Sequence, residues 1–424
     1  MTDRAGGARR RTLRNIAALY GVQMATYLLP LVTVPFLART LGPQAWGALA
    51  VAQAFGGMMS LLVDYGFDLS GTREVARVQD QPARRAELLS GVLGARLVMT
   101  LCVAALTLVA QATVPALQQP LLLWAAVLWG VAQATSLMWY FQGLERVTRV
   151  AGLDVAAKVA VTAGILLLIR RPSDAWLVPG LTAVATLLSN GYAFRLAHRD
   201  TPFLWPTWSG TRATLRLGWS MFVFRGSAAF YSTASAFLLS LFVPVGLVGF
   251  YAAAERIARA VQGLLTPLHR ALYPRFARAA AAGPAAARAL LPSGLWLMGG
   301  AGAVLSAVTW LAAPLLISLL LGPGFERALP VLRALSVLPL IIGVNMVFGL
   351  FWLVPLGHDR AFNITVALGA LLNAVLIVLL VPGRGPLGMA EAVVLTELTV
   401  GAGLYFVYRQ TLRPMTAQVL PVEA

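Results

Sequence analysis

Residues 293–321 read SGLWLMGGAGAVLSAVTWLAAPLLISLLL, a run without a single charged side chain. A helix needs about 20 apolar residues to cross the roughly 30 Å hydrocarbon core of a bilayer, so this run is long enough to span a membrane. Backbone groups in lipid have no water to bond, which leaves helices and closed barrels, and this run lacks the alternating polarity of a barrel strand. The stretch therefore predicts a transmembrane helix.

The same pattern of a long apolar run and a short polar break recurs along the whole chain. Hydrophobic residues make up 59% of the 424 residues and charged residues only 12%, too few to cover an ordinary water-facing surface. The sequence predicts an all-α polytopic membrane protein with twelve transmembrane helices in two six-helix lobes around a central cavity. The predicted spans are 15–38, 46–66, 90–111, 120–141, 150–169, 176–196, 216–243, 246–268, 293–321, 329–353, 361–381 and 387–408.

The arginines are distributed unequally between the two predicted sides. Segments on the side of the N-terminus hold 22 arginines and the opposite loops hold 5. Cytoplasmic loops collect basic residues, so both termini are predicted to be cytoplasmic. The formal net charge of +17 is explained by this topology and by anionic lipid headgroups, and no nucleic-acid partner is predicted.

Motifs of catalysis and metal binding are absent from the sequence. The single cysteine, Cys102, lies within the third predicted span, and His198, His269 and His358 are isolated near helix ends. No HExxH, GxxxxGK[ST], GxSxG or GxGxxG pattern occurs. The sequence predicts no metal site, no cofactor and no enzymatic activity.

An internal repeat divides the chain. Thr12-Leu13-Arg14 recurs as Thr214-Leu215-Arg216 at an offset of 202 residues, and Gly47, Ala50 and Ala52 match Gly249, Ala252 and Ala254 at the same offset. The predicted division is an N-terminal lobe over 1–196, a cytoplasmic linker over 197–213, and a C-terminal lobe with a short cytoplasmic tail over 214–424. Parallel repeats of this kind build transporters that work by alternating access.

Basic residues inside the spans are candidates for substrate binding, because a charge in a membrane requires a partner or water. The candidates are Arg225, Arg256, Arg259, Arg96 and Lys158. Arg225 lies about 13 Å beyond Arg216 along its helix, near the middle of the bilayer. An alternative stays open for Lys158 and Arg259, which can be neutralised at i,i+4 by Asp154 and Glu255, and Arg96 can instead snorkel to the interface.

Acidic residues in the spans are candidates for ion coupling. Glu397, Glu255, Asp64 and Asp68 form this set, since a carboxylate in a low-dielectric site can bind and release a proton during transport. Glu397 has no obvious partner within its own helix. The alternative for Asp64 and Asp68 is a structural pairing with the nearby Arg73 or Arg77.

The first eighty residues resemble the start of Wzx-type polysaccharide flippases. The stretches that carry the resemblance are 15–20 (NIAALY), 27–43 (YLLPLVTVPFLARTLGP), Trp46-Gly47, 53–55 (QAF), 64–70 (DYGFDLS) and 72–74 (TRE), with 249–254 (GFYAAA) in the second half. The resemblance implies membership of the multidrug/oligosaccharidyl-lipid/polysaccharide exporter superfamily. It also implies transport of undecaprenyl-pyrophosphate-linked oligosaccharide across the bacterial cytoplasmic membrane, driven by proton or sodium exchange, with a polysaccharide polymerase and a chain-length regulator as partners.

Three other functions are alternatives. A cation-coupled multidrug exporter of the same fold would favour an acidic or aromatic cavity, whereas this sequence offers arginines. A lipid II-type flippase usually carries two further C-terminal helices, and this chain ends soon after Arg409. A membrane glycosyltransferase or polymerase normally needs a large outward loop, and the predicted outward loops are short.

Overall fold

The computed structural model describes the backbone of residues 2–417 and the side chains of Leu29, 32–219, Phe222 and 233–412. Within these residues the chain is helical and contains no strand. It forms two compact units, Met1–Gly246 and Leu247–Ala424.

The first unit contains nine α-helices within the described backbone. They are α1 (Thr2–Asp64), α2 (Phe67–Arg77), α3 (Pro82–Thr113), α4 (Pro120–Ala134), α5 (Met138–Gly143), α6 (Thr148–Leu168), α7 (Leu177–Ala197), α8 (Trp208–Thr233) and α9 (Ser235–Ser240), with short 3-10 turns at Pro115–Leu117 and Pro172–Trp176.

Helix α1 is two membrane spans joined at one glycine. Its 63 residues would form a straight rod of about 95 Å, three times the thickness of a bilayer core. Gly42 breaks the helix with φ 66° and ψ 174°, a conformation open to glycine and closed to residues with a Cβ. The first two predicted spans therefore follow each other without a loop.

The first unit is held together by one buried stripe on each helix and by close backbone contacts. On α3 the buried residues recur at helical spacing, including Leu89, Val92 and Val103, while leucines on its other face are exposed to the surroundings. A Cβ added at Gly56 of α1 or at Gly130 of α4 would collide with backbone atoms of the other helix. These two glycines allow the helices to approach as closely as small residues do in membrane bundles.

The second unit begins within α10, and its helices are interrupted at two π-helical turns, Leu295–Gly299 and Val347–Leu353. The helices are α10 (Val245–Gly263), α11 (Leu265–Ala281), α12 (Pro284–Gly294), α13 (Gly300–Leu320), α14 (Leu329–Leu335), α15 (Leu338–Met346) and α16 (Asp359–Ala417), with a 3-10 turn at Glu326–Ala328.

Helix α16, like α1, consists of two membrane spans joined at one glycine. Gly385, with φ 55° and ψ −129°, breaks its 59 residues into two spans. The guanidinium of Arg384 donates to both carboxylate oxygens of Glu391 at 2.8 Å, which ties the chain together across the break. The eleventh and twelfth predicted spans are therefore also joined without a loop.

Aromatic side chains fill the core of the second unit. Phe276 stacks on Phe351 with ring centroids 4.6 Å apart, and Trp352 donates its indole N–H to Thr411 at 3.0 Å. At Gly302 and Gly343 an added Cβ would collide with the backbone of a neighbouring helix, so α13 and α15 also pack closely.

The prediction of an all-α polytopic membrane protein is confirmed. Eight helices of the described residues are long and apolar enough to cross a membrane, judged by length and composition. Helix lies over every one of the twelve predicted spans. Four of them are divided: the fourth between α4 and α5, the seventh between α8 and α9, the eighth between α10 and α11, and the tenth between α14 and α15. The division by contacts follows Gly246, because α8 packs on α3. The repeat-based division at 197–213 stays a prediction.

Candidate functional site

The joint between α1 and α2 places two carboxylates at a break in the second span. Tyr65, with φ 50°, and Gly66, with φ 78°, separate Asp64 at the end of α1 from Asp68 in the first turn of α2. A bulky residue such as Tyr65 rarely adopts positive φ, and this conformation costs about 1–3 kcal/mol. The Tyr65 ring stacks on Phe222 at 4.8 Å, a contact that helps to hold the strained turn.

Arg96 of α3 faces both carboxylates. Its Nη2 lies 3.7 Å from Asp64 Oδ1 and 4.0 Å from Asp68 Oδ1, and its Nη1 donates to the carbonyl oxygen of Ser136 at 3.0 Å. The guanidinium carbon also lies 5.9 Å from the centre of the Trp139 ring, within the range of a cation–π contact. Three neighbouring elements therefore surround one arginine.

The alternative that Arg96 snorkels to the interface is wrong. Its side chain is only 4% exposed. Arg96 lies about 9 Å inside the predicted span 90–111, and its guanidinium is directed at neighbouring parts of the first unit. The two carboxylates, the Ser136 carbonyl and the indole ring take the place of water.

The alternative pairing of Asp64 and Asp68 with Arg73 or Arg77 is also wrong. Both of those arginines lie beside Glu74, at 3.4 Å for Arg73 and 3.0 Å for Arg77. Glu74 lies one residue from Arg73 and one helical turn from Arg77, closer along α2 than either aspartate.

The guanidinium of Arg96 is incompletely used. The distances to the two aspartates exceed a direct hydrogen bond, and neither Nε nor Nη2 of Arg96 has a hydrogen-bond partner within the described structure. Buried donors without partners are rare and costly in folded proteins. Arg96 therefore keeps buried N–H donors that no acceptor of the described structure satisfies.

A cavity of about 300 Å³ adjoins Arg96 inside the first unit. Its walls are mostly apolar, with Leu137, Leu187 and Phe194 among them, and its polar groups include Arg96, Asn190 and His198. Asn190 is fixed, because its Nδ2 donates to the carbonyl oxygen of Ala132 at 2.7 Å. A cavity with apolar walls and a few converging polar groups has the character of a ligand site.

Two other basic candidates form pairs within their own helices, as the alternative allowed. Lys158 Nζ lies 2.9 Å from Asp154 Oδ2, with both side chains about one-third exposed. Arg259 Nη2 lies 2.9 Å from Glu255 Oε1. Tyr251 donates its hydroxyl to the same Glu255 oxygen at 3.2 Å.

Arg256 and Arg225 are the two remaining basic candidates. Arg256 is an exposed residue of α10, one position beyond Glu255 and therefore turned about 100° away from the Glu255–Arg259 pair. Arg225 belongs to α8, but its side chain lies outside the described residues.

Glu397 has a partner from another helix. Asn345 of α15 donates through Nδ2 to Glu397 Oε2 at 3.2 Å and to the Glu397 carbonyl oxygen at 3.0 Å. One turn further on, a Cβ at Gly401 would collide with Asn345 Oδ1, so glycine is needed for the amide to fit. Asn373 donates to Thr396 at 3.0 Å next to this pair, forming a polar layer inside the second unit.

Sequence reasoning missed the groups that complete these sites. The Ser136 carbonyl comes from the break between α4 and α5, and Trp139 comes from the first turn of α5, where the apolar pattern gives no signal. Trp139 reaches its position because Gly71 of α2 has no Cβ to obstruct the indole ring. A lone amide in an apolar run, as Asn345 is in 337–353, is a signal that could have been used.

The similarity of this chain to known proteins identifies its family. A sequence model of the family described as "Polysaccharide biosynthesis protein" matches residues 12–280, more than half of the chain. The chain belongs to this polysaccharide biosynthesis protein family. The matched range includes Asp64, Asp68 and Arg96, while Asn345 and Glu397 lie beyond it.

Two curated relatives of this family member carry the name "Putative O-antigen transporter". The protein of Escherichia coli (strain K12) is 26% identical over 398 residues, covering 91% of this chain and 94% of the relative. The protein of Shigella dysenteriae is 25% identical over 402 residues, covering 91% and 97%. Together with the family match, they confirm the resemblance to Wzx-type polysaccharide flippases.

Solved structures share the fold of this family member. An inward-facing multidrug resistance MATE family transporter of the MOP superfamily matches with a TM-score of 0.71 at 15% identity, covering 96% of this chain and all of the other. The lipid II flippase MurJ in an inward closed conformation matches with a TM-score of 0.72 at 14% identity, covering 94% and 87%. At these identities the likeness establishes the two-lobe fold alone.

Proposed function

We propose that this protein moves an undecaprenyl-pyrophosphate-linked oligosaccharide from the cytoplasmic to the outer leaflet of the bacterial cytoplasmic membrane. The family, and the names of two relatives that cover nearly all of the chain, support a polysaccharide transporter. The observation that carries the finer proposal is Arg96, a buried guanidinium with unused donors in a membrane helix. The diphosphate is the part of such a substrate that costs the most free energy to move through the hydrocarbon core.

In the proposed cycle the substrate phosphates replace the carboxylates as partners of Arg96. A planar guanidinium binds phosphate oxygens in pairs, and these distances of 3.7 and 4.0 Å leave its attachment to Asp64 and Asp68 loose. Arg225, Arg256, Arg259 and Lys158 are proposed as further contacts of the substrate as the lobes rock by alternating access.

The released carboxylates then provide the coupling step. When the substrate phosphate binds Arg96, the two carboxylates lose this cation as a partner. A proton or sodium ion then neutralises Asp64 and Asp68, which couples binding of the substrate to binding of the ion. Glu397, held by Asn345, and Glu255, held by Arg259 and Tyr251, are the corresponding proposed sites in the second unit. The protein itself breaks no bond and needs no cofactor.

The orientation of the protein and its partners follow from the proposed substrate. Both termini are proposed to be cytoplasmic, where lipid-linked oligosaccharide is assembled, and a polymerase and a chain-length regulator are proposed to use the exported units. The fold shared with the MATE transporter and with MurJ does not select a substrate, whereas the two relatives' names favour a polysaccharide unit.

Transport in proteoliposomes tests the proposal. Purified protein is reconstituted with a lipid-linked oligosaccharide, and appearance of the sugar at the opposite leaflet is followed with a membrane-impermeant glycosidase. Wild-type protein and the matched control Arg73→Ala, an exposed arginine outside the cavity, should move the sugar. Arg96→Ala should not, and Arg96→Lys should retain part of the activity. Movement of lipid II or of a cationic drug without movement of the oligosaccharide would overturn the proposal.

A further inference from the structure

A second cavity, of about 380 Å³, lies in the first unit apart from the cavity beside Arg96. The two cavities share no lining residue. The second is formed near the start of α3, the connection between α5 and α6, and the end of α7. Four arginines line it, namely Arg85, Arg146, Arg149 and Arg199.

Arg85 is a buried and hydrogen-bonded side chain in the wall of this second cavity. It is only 6% exposed, and its Nη1 donates to the Tyr140 hydroxyl at 3.1 Å while its Nη2 donates to the Asp200 carbonyl oxygen at 3.0 Å. The Tyr140 hydroxyl is in turn bonded to Thr201 Oγ1 at 2.7 Å. These contacts hold the guanidinium still, yet its buried Nε has no hydrogen-bond partner within the described structure.

The charges around this cavity do not balance. Its carboxylates are Glu145 and Asp200, so the four arginines leave an excess of two positive charges. Arg146 Nη1 is paired with Asp200 Oδ2 at 2.9 Å. Among the described residues, Arg149 and Arg199 form no salt bridge. A buried N–H donor and two guanidinium groups without a salt bridge thus line one cavity, with too few carboxylates to match them.

The chemistry of these groups selects a phosphate. Guanidinium groups bind phosphate oxygens with paired hydrogen bonds, and the cavity volume falls in the range of about 300–1,000 Å³ that is usual for ligand sites. The cavity lies at helix ends on the side that the arginine distribution predicts to be cytoplasmic. Basic pockets between transmembrane helices on that side bind the headgroups of anionic lipids.

We propose that the cavity around Arg85 binds the phosphate of an anionic phospholipid of the cytoplasmic leaflet. The site is separate from the proposed transport path in that the two cavities share no lining residue. Asp200 and Thr201 begin the segment that leads to α8, so a bound headgroup joins this segment to α3 and α5 through Arg85 and Tyr140.

Lipid binding by the purified full chain tests the site. Native mass spectrometry of protein titrated with phosphatidylglycerol, cardiolipin or phosphatidylethanolamine measures binding, and inorganic phosphate is added as a competitor in a separate arm. Wild-type protein should bind the two anionic lipids at least about tenfold more tightly than the zwitterionic one. The double variant Arg149→Ala/Arg199→Ala, which leaves the Arg85 contacts intact, should lose most of this preference.

A matched control guards against a general effect of charge. Arg170 and Arg171 are an exposed pair outside the cavity, and the variant Arg170→Ala/Arg171→Ala removes the same two charges. It should bind anionic lipid as the wild type does. Equal loss in both double variants, or no loss in either, would overturn the proposal.

The phosphate arm separates the two sources of the ligand. Displacement of bound lipid only at phosphate concentrations far above physiological levels supports a lipid site. Displacement by low millimolar phosphate would overturn the lipid assignment in favour of a soluble phosphate compound. The readout is binding, so failure of this proposal and failure of the proposed transport function remain distinguishable.

Discussion

At the scale of single residues, the partners of Arg96 decide its contribution to stability. Removing one member of a buried ion pair leaves the other charge unpaired, at a cost of about 3–5 kcal/mol. Arg96→Met should therefore lower the denaturation temperature in detergent substantially. The double variant Asp64→Asn/Arg96→Met should recover part of the loss, because the more buried of the two carboxylates beside Arg96 is then neutral. A double variant no more stable than the single one would show that the pair is not coupled.

The contact of Asn345 with Glu397 leads to a second prediction. Gly401→Ala should force Asn345 away from the carboxylate, at a cost of about 1–3 kcal/mol, and should reduce transport. Gly383→Ala is the matched control, since a Cβ there meets nothing within 4 Å. Thermal unfolding and sugar translocation measure the two effects. Equal behaviour of the two variants would contradict the close contact.

Residue contacts could be predicted from the sequence only where they are local. The Lys158–Asp154 and Glu255–Arg259 pairs follow from i,i+4 spacing alone. The Asn345–Glu397 bond joins residues 52 positions apart, and the partners of Arg96 come from α1, α2 and the start of α5 with the connection before it. Spacing along one helix carries no information about which face of a distant helix will meet it.

At the scale of helices, the positions of the spans were predictable and their breaks were not. Apolar runs report how much chain lies in lipid, and helix lies over each predicted run. The turn at Tyr65, the π-helical turn at Val347–Leu353 and the separate short helix α5 all lie inside or beside such runs. Hydrophobicity does not change at 347–353, and the polar residues near Tyr65 and before α5 do not tell a turn inside the membrane from the end of a span.

The crossing of α1 and α4 gives a prediction about helix packing. Gly130→Val should separate the two backbones, because a side chain at Gly130 would collide with the Gly56 carbonyl group. We expect a several-fold lower level of folded protein in the membrane. Gly152→Val in α6 is the matched control, since a Cβ at Gly152 meets nothing within 4 Å. Fluorescence-detected size-exclusion chromatography compares the two, and equal yields would contradict the close crossing.

At the scale of the whole molecule, the arginine distribution predicts the orientation in the membrane. In a Cys102→Ala background, single cysteines at the exposed positions Ala83 and Ala282 should resist a membrane-impermeant thiol reagent in intact cells. A cysteine at the exposed Gln118 should react. Permeabilised cells provide the control for reactivity of the protected positions. The reverse labelling pattern would mean that the termini face outward.

The breaks at Gly42 and Gly385 have a consequence for how the protein meets its surroundings. Both lie on the side predicted to face the periplasm, and the other connections on that side, 114–119, 169–176, 241–244 and 321–328, are short. A protease needs a stretch of extended chain to enter its cleft, and a one-residue joint supplies none. Spheroplasts treated with trypsin should therefore keep this protein whole, while inverted vesicles should lose it by cleavage in 198–207, where arginine and extended chain occur together.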